Sequence, residues 1–308
     1  MKIKILGSAA GGGFPQWNCA CPLCAGLREG TLRGHARTQT QVAFSPVEGV
    51  WFLLGASPDL RQQIVATPEL APDPSQGGRS PIAGVFLPSA DVDAVLGLLH
   101  LREFQSFFVF ASPEVQKILR QENRVFRVLD RASPPVAWQN LAPRNRIGCH
   151  LSDQPGDPPT FFYSAIPLGG NYPDYAAERT GASEESNLGF LLEQNGKKLF
   201  FASSLSGRNA EWSKVAATAD VMLLDGTFWT DDELQRAGRS QKMAREMGHL
   251  PLSGPDGLLA QFPAEATGRK ILIHINNTNP ILDEESGEHR AVLDAGFEIA
   301  YDGMNIEL

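Results

Sequence analysis

The segment Ile271-Leu272-Ile273-His274-Ile275-Asn276-Asn277-Thr278-Asn279-Pro280 is an apolar, largely β-branched run that ends abruptly in a histidine and a cluster of asparagines. It reads as a buried strand delivering polar groups that need partners. His274 is either a satisfied core histidine or a site residue; its place favours a site, because α/β architectures collect ligands at the carboxyl ends of their strands. Val221-Met222-Leu223-Leu224-Asp225-Gly226-Thr227-Phe228-Trp229 follows the same pattern, an apolar strand ending in a carboxylate and a glycine. Asp225 is a turn former or a metal ligand. In Leu87-Pro88-Ser89-Ala90-Asp91-Val92-Asp93-Ala94 a strand end feeds a helix, and Asp91 and Asp93 either cap that helix or point into a cleft. His249 sits among turn residues that let it face the same place.

Outward from these segments, strands are expected at 2–6, 41–45, 50–55, 82–87, 107–111, 160–166, 188–192, 198–202, 221–224, 270–274 and 298–301. Helices are expected at 59–67, 92–102, 113–121, 211–217, 231–236, 257–262 and 286–295, with loops at 72–80 and 152–159. Short strands with helices interleaved imply sheets covered by helices on their outer faces, an α/β (α+β) sandwich. No linker divides the chain, so residues 1–308 are expected to form a single domain, with the first strand at a sheet edge. The Gly7 to Gly13 loop lacks the helix that a dinucleotide cradle requires.

With 42% hydrophobic residues over 308 positions the chain can bury a large core. No apolar run is long enough for a signal peptide or a membrane span, which predicts a cytoplasmic protein without a membrane partner. A net charge of −8 without a basic cluster argues against nucleic acid. Arg33, Arg37 and Arg61 are read as solvated surface charges before carboxylate anchors. A homodimer is compatible with the sequence.

Three of the four cysteines fall within Asn18-Cys19-Ala20-Cys21-Pro22-Leu23-Cys24. Thiolates so spaced suit one zinc ion, tetrahedral with sulfur at about 2.3 Å, better than they suit a disulfide. The loop at about 15–26 is therefore expected to hold structural Zn2+ through Cys19, Cys21 and Cys24, with a fourth ligand from elsewhere. Cys149 lacks an electropositive setting and reads as structural.

Several long motifs carry a resemblance. Leu6 to Cys19, Ala56-Ser57-Pro58-Asp59, Asp225-Gly226-Thr227, Met247-Gly248-His249, His274 to Pro280 and Asp302-Gly303-Met304 together resemble the pyrroloquinoline quinone (PQQ) biosynthesis protein B family. The resemblance implies a four-layer αββα metallo-β-lactamase-like sandwich with a metal cleft at one edge. It also implies a structural zinc on the cysteine loop. Related phosphodiesterases supply the fourth zinc ligand as a histidine just after the strand-end histidine; here that neighbourhood reads Asn276-Asn277, which leaves the ligand open.

The wider fold carries a His-x-His-x-Asp-His motif, and this chain has Ser89, Asp91, Asp93 and Ala94 at those four positions. An alanine has no lone pair, so a cleft metal loses an imidazole there. The ligand set that remains is Asp93, Asp225, His249 and His274, with Asp91 as a recruit. The resemblance implies an iron-dependent (Fe2+) oxygenase that hydroxylates the tyrosine ring of the glutamate–tyrosine crosslinked PQQ precursor, a small acidic substrate. A carrier for PQQ or its precursor, without a catalytic metal, is the alternative that Ala94 favours; a paralogue acting on another tyrosine-derived substrate is a further one.

Overall fold

In the computed structural model, all residues are described except 104, 153, 155, 177–182, 208, 209 and 263–265, and the side chains of 76 and 210. Residues 153 and 155 of the expected 152–159 loop thus lie outside the described residues.

In chain order the strands are β1 (Lys2–Gly7), β2 (Gln41–Val47), β3 (Val50–Leu54), β4 (Ile82–Phe86), β5 (Phe108–Ala111), β6 (Ala137–Asn140), β7 (Arg146–Cys149), β8 (Phe161–Pro167), β9 (Leu188–Gln194), β10 (Lys197–Ala202), β11 (Val221–Asp225), β12 (Arg269–Ile273), β13 (Phe297–Ile299) and β14 (Asn305–Glu307). They form two seven-stranded sheets, ordered β14-β1-β2-β3-β4-β5-β6 and β13-β12-β11-β10-β9-β8-β7. The helices are α1 (Pro22–Glu29), α2 (Leu60–Val65), α3 (Val92–Val95), α4 (Pro113–Lys117), α5 (Ala210–Ala216), α6 (Glu233–Arg236), α7 (Leu258–Gln261) and α8 (Gly287–Asp294).

Alternation along the strands builds the layers. In β11, Val221 and Leu223 enter the core between the sheets, while Met222 and Leu224 enter a second core outside. Burial on both faces is why β11 and β12 read as continuous apolar runs. The central core is aromatic, with Phe86 stacked on Phe110 at 4.2 Å and both rings meeting Tyr163 edge-on. A third core, including Trp51, Leu60, Val95 and Leu119, covers the outer face of the first sheet.

Some expectations needed correction. β1 is no edge strand: Lys2, Ile3 and Lys4 pair antiparallel with Glu307, Ile306 and Asn305 of β14, a strand too short to register as a pattern. β6, β7 and α1 were also unforeseen; α1 is only eight residues long, with Pro22 in its first turn and Gly30 left-handed at its end. The 92–102 helix is split into α3 and a 3-10 segment, Leu96–Leu101. Arg37 is no surface charge; it is 7% exposed and donates to Ser8 Oγ at 3.0 Å and to the Ala300 carbonyl.

A candidate metal cleft beside a cysteine cluster

β10, β11 and β12 run parallel, so Ser203, Asp225 and His274 emerge at one edge of the second sheet. Ser89 follows β4 and reaches the same place, bridging Asn187 of the second sheet. Together they open a cavity of about 680 Å³, walled by Asp91, Asp93, Ala94, Tyr172, Tyr175, Asn187, Thr227, Phe228, Lys242, His249 and His274 among others.

His274 has φ +62°, in the left-handed region. Such a conformation costs a non-glycine residue on the order of 1 kcal/mol or more and marks a position that the surroundings over-determine. Here Ile275 N donates to the Ser8 carbonyl at 3.0 Å and Ala10 N to the Ile275 carbonyl at 2.9 Å, fixing the turn just beyond β12. Its ring Nε2 stands 3.1 Å from Asp93 Oδ2 and its Nδ1 2.9 Å from Thr227 Oγ1. The rings of His249 and His274 lie nearly parallel, 5.5 Å apart.

Asp225 is fully buried. Its Oδ1 accepts from Thr227 N at 3.0 Å and Thr227 Oγ1 at 2.5 Å, and its Oδ2 accepts from Leu205 N at 2.9 Å and faces His249 Nδ1 at 2.9 Å. Burial pushes the Asp225 carboxyl up, but the charge and hydrogen bond of His249, the charge of His274 and the Thr227 hydrogen bond outweigh it and hold it below the usual range. Burial likewise pushes Asp93 up, and the hydrogen bond and charge of His274 pull it down overall. His274 answers with the opposite sign: burial lowers it, and Asp93 and then Asp225 raise it above an ordinary histidine. Asp91 is held above the usual carboxylate range by burial and by the charge of Asp93.

Asp225, His249 and His274 offer ligand atoms within 4.8 Å of one another. The Thr227 hydroxyl stands among them, 3.0 Å from His249 Nδ1, so this cluster is closed by a hydroxyl. The pair open to the cavity is Asp93 Oδ2 and His274 Nε2. Their 3.1 Å separation fits two ligands of one divalent ion, which at bonds of about 2.1 Å stand about 3 Å apart. Ala94 lines the cavity beside them and offers no donor. Asp91 Oδ2 accepts from the Ser89 hydroxyl at 2.7 Å. The expected residues therefore converge, but Asp225 faces His249 and Thr227 instead of the cavity.

The cysteine cluster lies on the far side of the same turn. The Cys19, Cys21 and Cys24 sulfurs lie within 4.8 Å of one another. The carboxamide of Asn277 closes the fourth corner, its nitrogen 3.1 Å from Cys19 Sγ, 3.4 Å from Cys24 Sγ and 3.9 Å from Cys21 Sγ. A carboxamide's oxygen and nitrogen exchange places by a simple flip, and the oxygen is a metal donor. Arg239 donates to Cys19 Sγ at 3.2 Å. Burial raises the Cys19 thiol, yet the Cys21 backbone N–H, the neighbouring thiols and Arg239 together bring it below the usual value. Burial pushes Cys21 up to about 11. Burial alone also pushes Cys149, on β7, up to about 11.

Sequence reasoning missed Thr227, Asn277 and Glu233 as partners. Glu233 is buried, accepts from Thr278 Oγ1 at 2.5 Å and Trp229 N at 2.6 Å, and is pushed up to about 7 by burial. The signal for Asn277 was its place just after His274, the neighbourhood in which the resemblance puts the fourth zinc ligand and leaves it open.

Residues 50–275 match the Beta-lactamase superfamily domain. The chain is 40% identical to the coenzyme PQQ synthesis protein B of Pseudomonas protegens, with both chains covered in full. The chain belongs to the coenzyme PQQ synthesis protein B family. The Klebsiella pneumoniae member is 41% identical, covering all of this chain and 98% of its own. Zn(2+)-bound PqqB from Methylobacterium extorquens superposes with a TM-score of 0.89 at 37% identity, both chains covered in full. A diphosphatase of the PhnP family, 16% identical with a TM-score of 0.64 over all of this chain and 97% of its own, shares the fold. The two sheets and their outer helices are thus the metallo-β-lactamase fold. Among the described residues no helix is long and apolar enough to cross a membrane.

Proposed function

We propose that this protein acts in the synthesis of pyrroloquinoline quinone as an iron(II)-dependent oxygenase, hydroxylating the tyrosine ring of the glutamate–tyrosine crosslinked precursor. The observation that carries this reading is the Asp93–His274 pair, 3.1 Å apart and open to the cavity, in a chain of this family. Asp93 and His274 would hold the iron, with His249 the nearest further imidazole. The facial set of two histidines and one carboxylate is the one used by non-haem iron(II) oxygenases. Iron held there would supply the activation of dioxygen.

The chain's own residues do the rest. Asp225 and Thr227 fix the His249 ring through its Nδ1, which leaves Nε2 as the nitrogen to complete the facial set. Phe228 and Tyr175 wall the space in which an aromatic ring is held out of water. Lys242, also on the cavity wall, supplies a cation for a substrate carboxylate. The cysteine cluster, with Asn277 at its fourth corner, would hold a structural zinc.

The carrier reading rests on Ala94. Elemental analysis of chelator-free protein, repeated after anaerobic incubation with iron(II), separates the two. One zinc and one added iron per chain, with oxygen consumed in the presence of the crosslinked precursor, is the expected result. One zinc with no iron uptake and no oxygen consumption would leave the carrier.

A further inference from the structure

Asn187 is 9% exposed, lies on the cavity wall, and its carboxamide makes no hydrogen bond among the described residues. Its backbone is clamped: it bridges Ser89, its carbonyl accepts from Leu168 N at 2.9 Å, and the next residue, Leu188, donates to the Pro88 carbonyl at 2.8 Å. Among the described residues only Arg37 Nε is a buried side-chain polar atom without a partner, so the Asn187 amide keeps contact with the space of the cavity. A rigid backbone aiming a free donor into a cavity is the arrangement of a recognition residue.

Residues 89–91 gather two more groups at the same place. Ser89 Oγ donates to Asp91 Oδ2 at 2.7 Å, which leaves Oδ1 as an acceptor. The Ala90 carbonyl accepts from the Tyr175 hydroxyl, which pins that ring, 39% exposed, over the cavity wall. Asn187, Asp91 and Tyr175, each tied to residues 88–91, thus bring an amide, a carboxylate and an aromatic ring to the wall of one cavity.

We infer that Asn187, Asp91 and Tyr175 form a subsite for an aromatic ring bearing two adjacent oxygens. One oxygen, as a hydroxyl, donates to Asp91 Oδ1; its neighbour accepts from Asn187 Nδ2; the ring lies on Tyr175. A carboxylate at this place would meet Asp91 and be repelled, so the subsite reads ring oxygens, and charge is left to the rim. This rests on the function proposed above and adds where the ring is held.

The test compares binding of 3,4-dihydroxybenzoate and benzoate to protein without added iron, followed by intrinsic fluorescence, with zinc content as the check on folding. Wild type should prefer the dihydroxy ring by about tenfold, and Asn187→Leu should reduce that preference to about threefold or less. Asn187→Asp, almost the same size, should do the same by replacing the donor with a second carboxylate, and it decides the matter if the leucine variant misfolds. No preference in wild type, or an undiminished preference in a folded variant, would overturn the subsite. Failure of the oxygenase reading shows separately, as absent oxygen consumption by iron-loaded wild type.

Discussion

The cysteine cluster and the cleft share one turn, His274 facing one and Asn277 the other, and they are built on opposite plans. Around the cysteines, three sulfurs and a carboxamide converge within 4 Å from segments more than 250 positions apart, and Arg239 adds a cation at 3.2 Å. The corner is closed, as structural metal sites are. In the cleft, Asp93 and His274 face each other across 3.1 Å, His249 is turned by Asp225, and Ala94 offers nothing. That corner is open, and open positions are where a metal meets a substrate. A closed ligand set suits a structural role and an open one suits chemistry, and the two meet at the turn that carries His274 and Asn277.

The largest effect should come from breaking the closed site. Cys21→Ser removes a ligand whose loss leaves the other sulfurs without a tetrahedron. Structural zinc contributes on the order of 10 kcal/mol in small peptides, and less is expected in a domain with three cores of its own. Zinc content should fall to near zero and the melting temperature should drop; because Asn277 and His274 share the turn, iron uptake by the cleft should fall as well. Full zinc with unchanged melting would show that the cysteines hold no metal. Loss of zinc with undiminished iron uptake would show that the two sites are independent.

A smaller change should make the open site resemble the closed one. Ala94→His places an imidazole on the cavity wall beside Asp93, and the affinity for a second divalent ion, measured by calorimetry on zinc-loaded protein, should rise about ten- to a hundredfold. An unchanged affinity would mean that position 94 does not reach the Asp93–His274 pair.

How much of this was legible follows from what makes a pattern. β11 and β12 announced themselves because burial on both faces demands unbroken apolar runs, and Asp225 and His274 stood out where those runs end. Cys19, Cys21 and Cys24 could be read because their ligand atoms are close in sequence. β14, Arg37 and Glu233 could not be read, because their partners are contributed by distant segments: Lys2 to Lys4 for β14, Ser8 and Ala300 for Arg37, Thr278 for Glu233. Thr227 was silent for the same reason, and Asn277 was marked only by standing in the neighbourhood of the fourth zinc ligand. The direction of Asp225 was also hidden, since a strand-end carboxylate facing a cavity and one facing a neighbouring histidine have the same sequence.

The smallest effect concerns the brace of the shared turn. Glu233 sits behind it, its oxygens taken by Thr278 and Trp229, and burial raises its pKa to about 7 from an ordinary 4.5. For an acid whose folded pKa is raised, the folded chain holds the proton more tightly than the unfolded chain. Stability is therefore greatest below the unfolded value, and it falls as pH rises from about 4.5 through about 7. Over that window the loss is on the order of 3 kcal/mol at most. Glu233→Gln keeps the shape and hydrogen bonds of the protonated acid without the ability to ionise. Its unfolding free energy should match wild type near pH 5 and exceed it near pH 8, measured by denaturant titration at both. If the turn transmits the brace, cleft metal affinity in wild type should weaken over the same interval and do so less in the variant. A constant offset between the two proteins at both pH values would mean that Glu233 is already ionised at pH 5, and the brace would then be a buried charge instead of a buried acid.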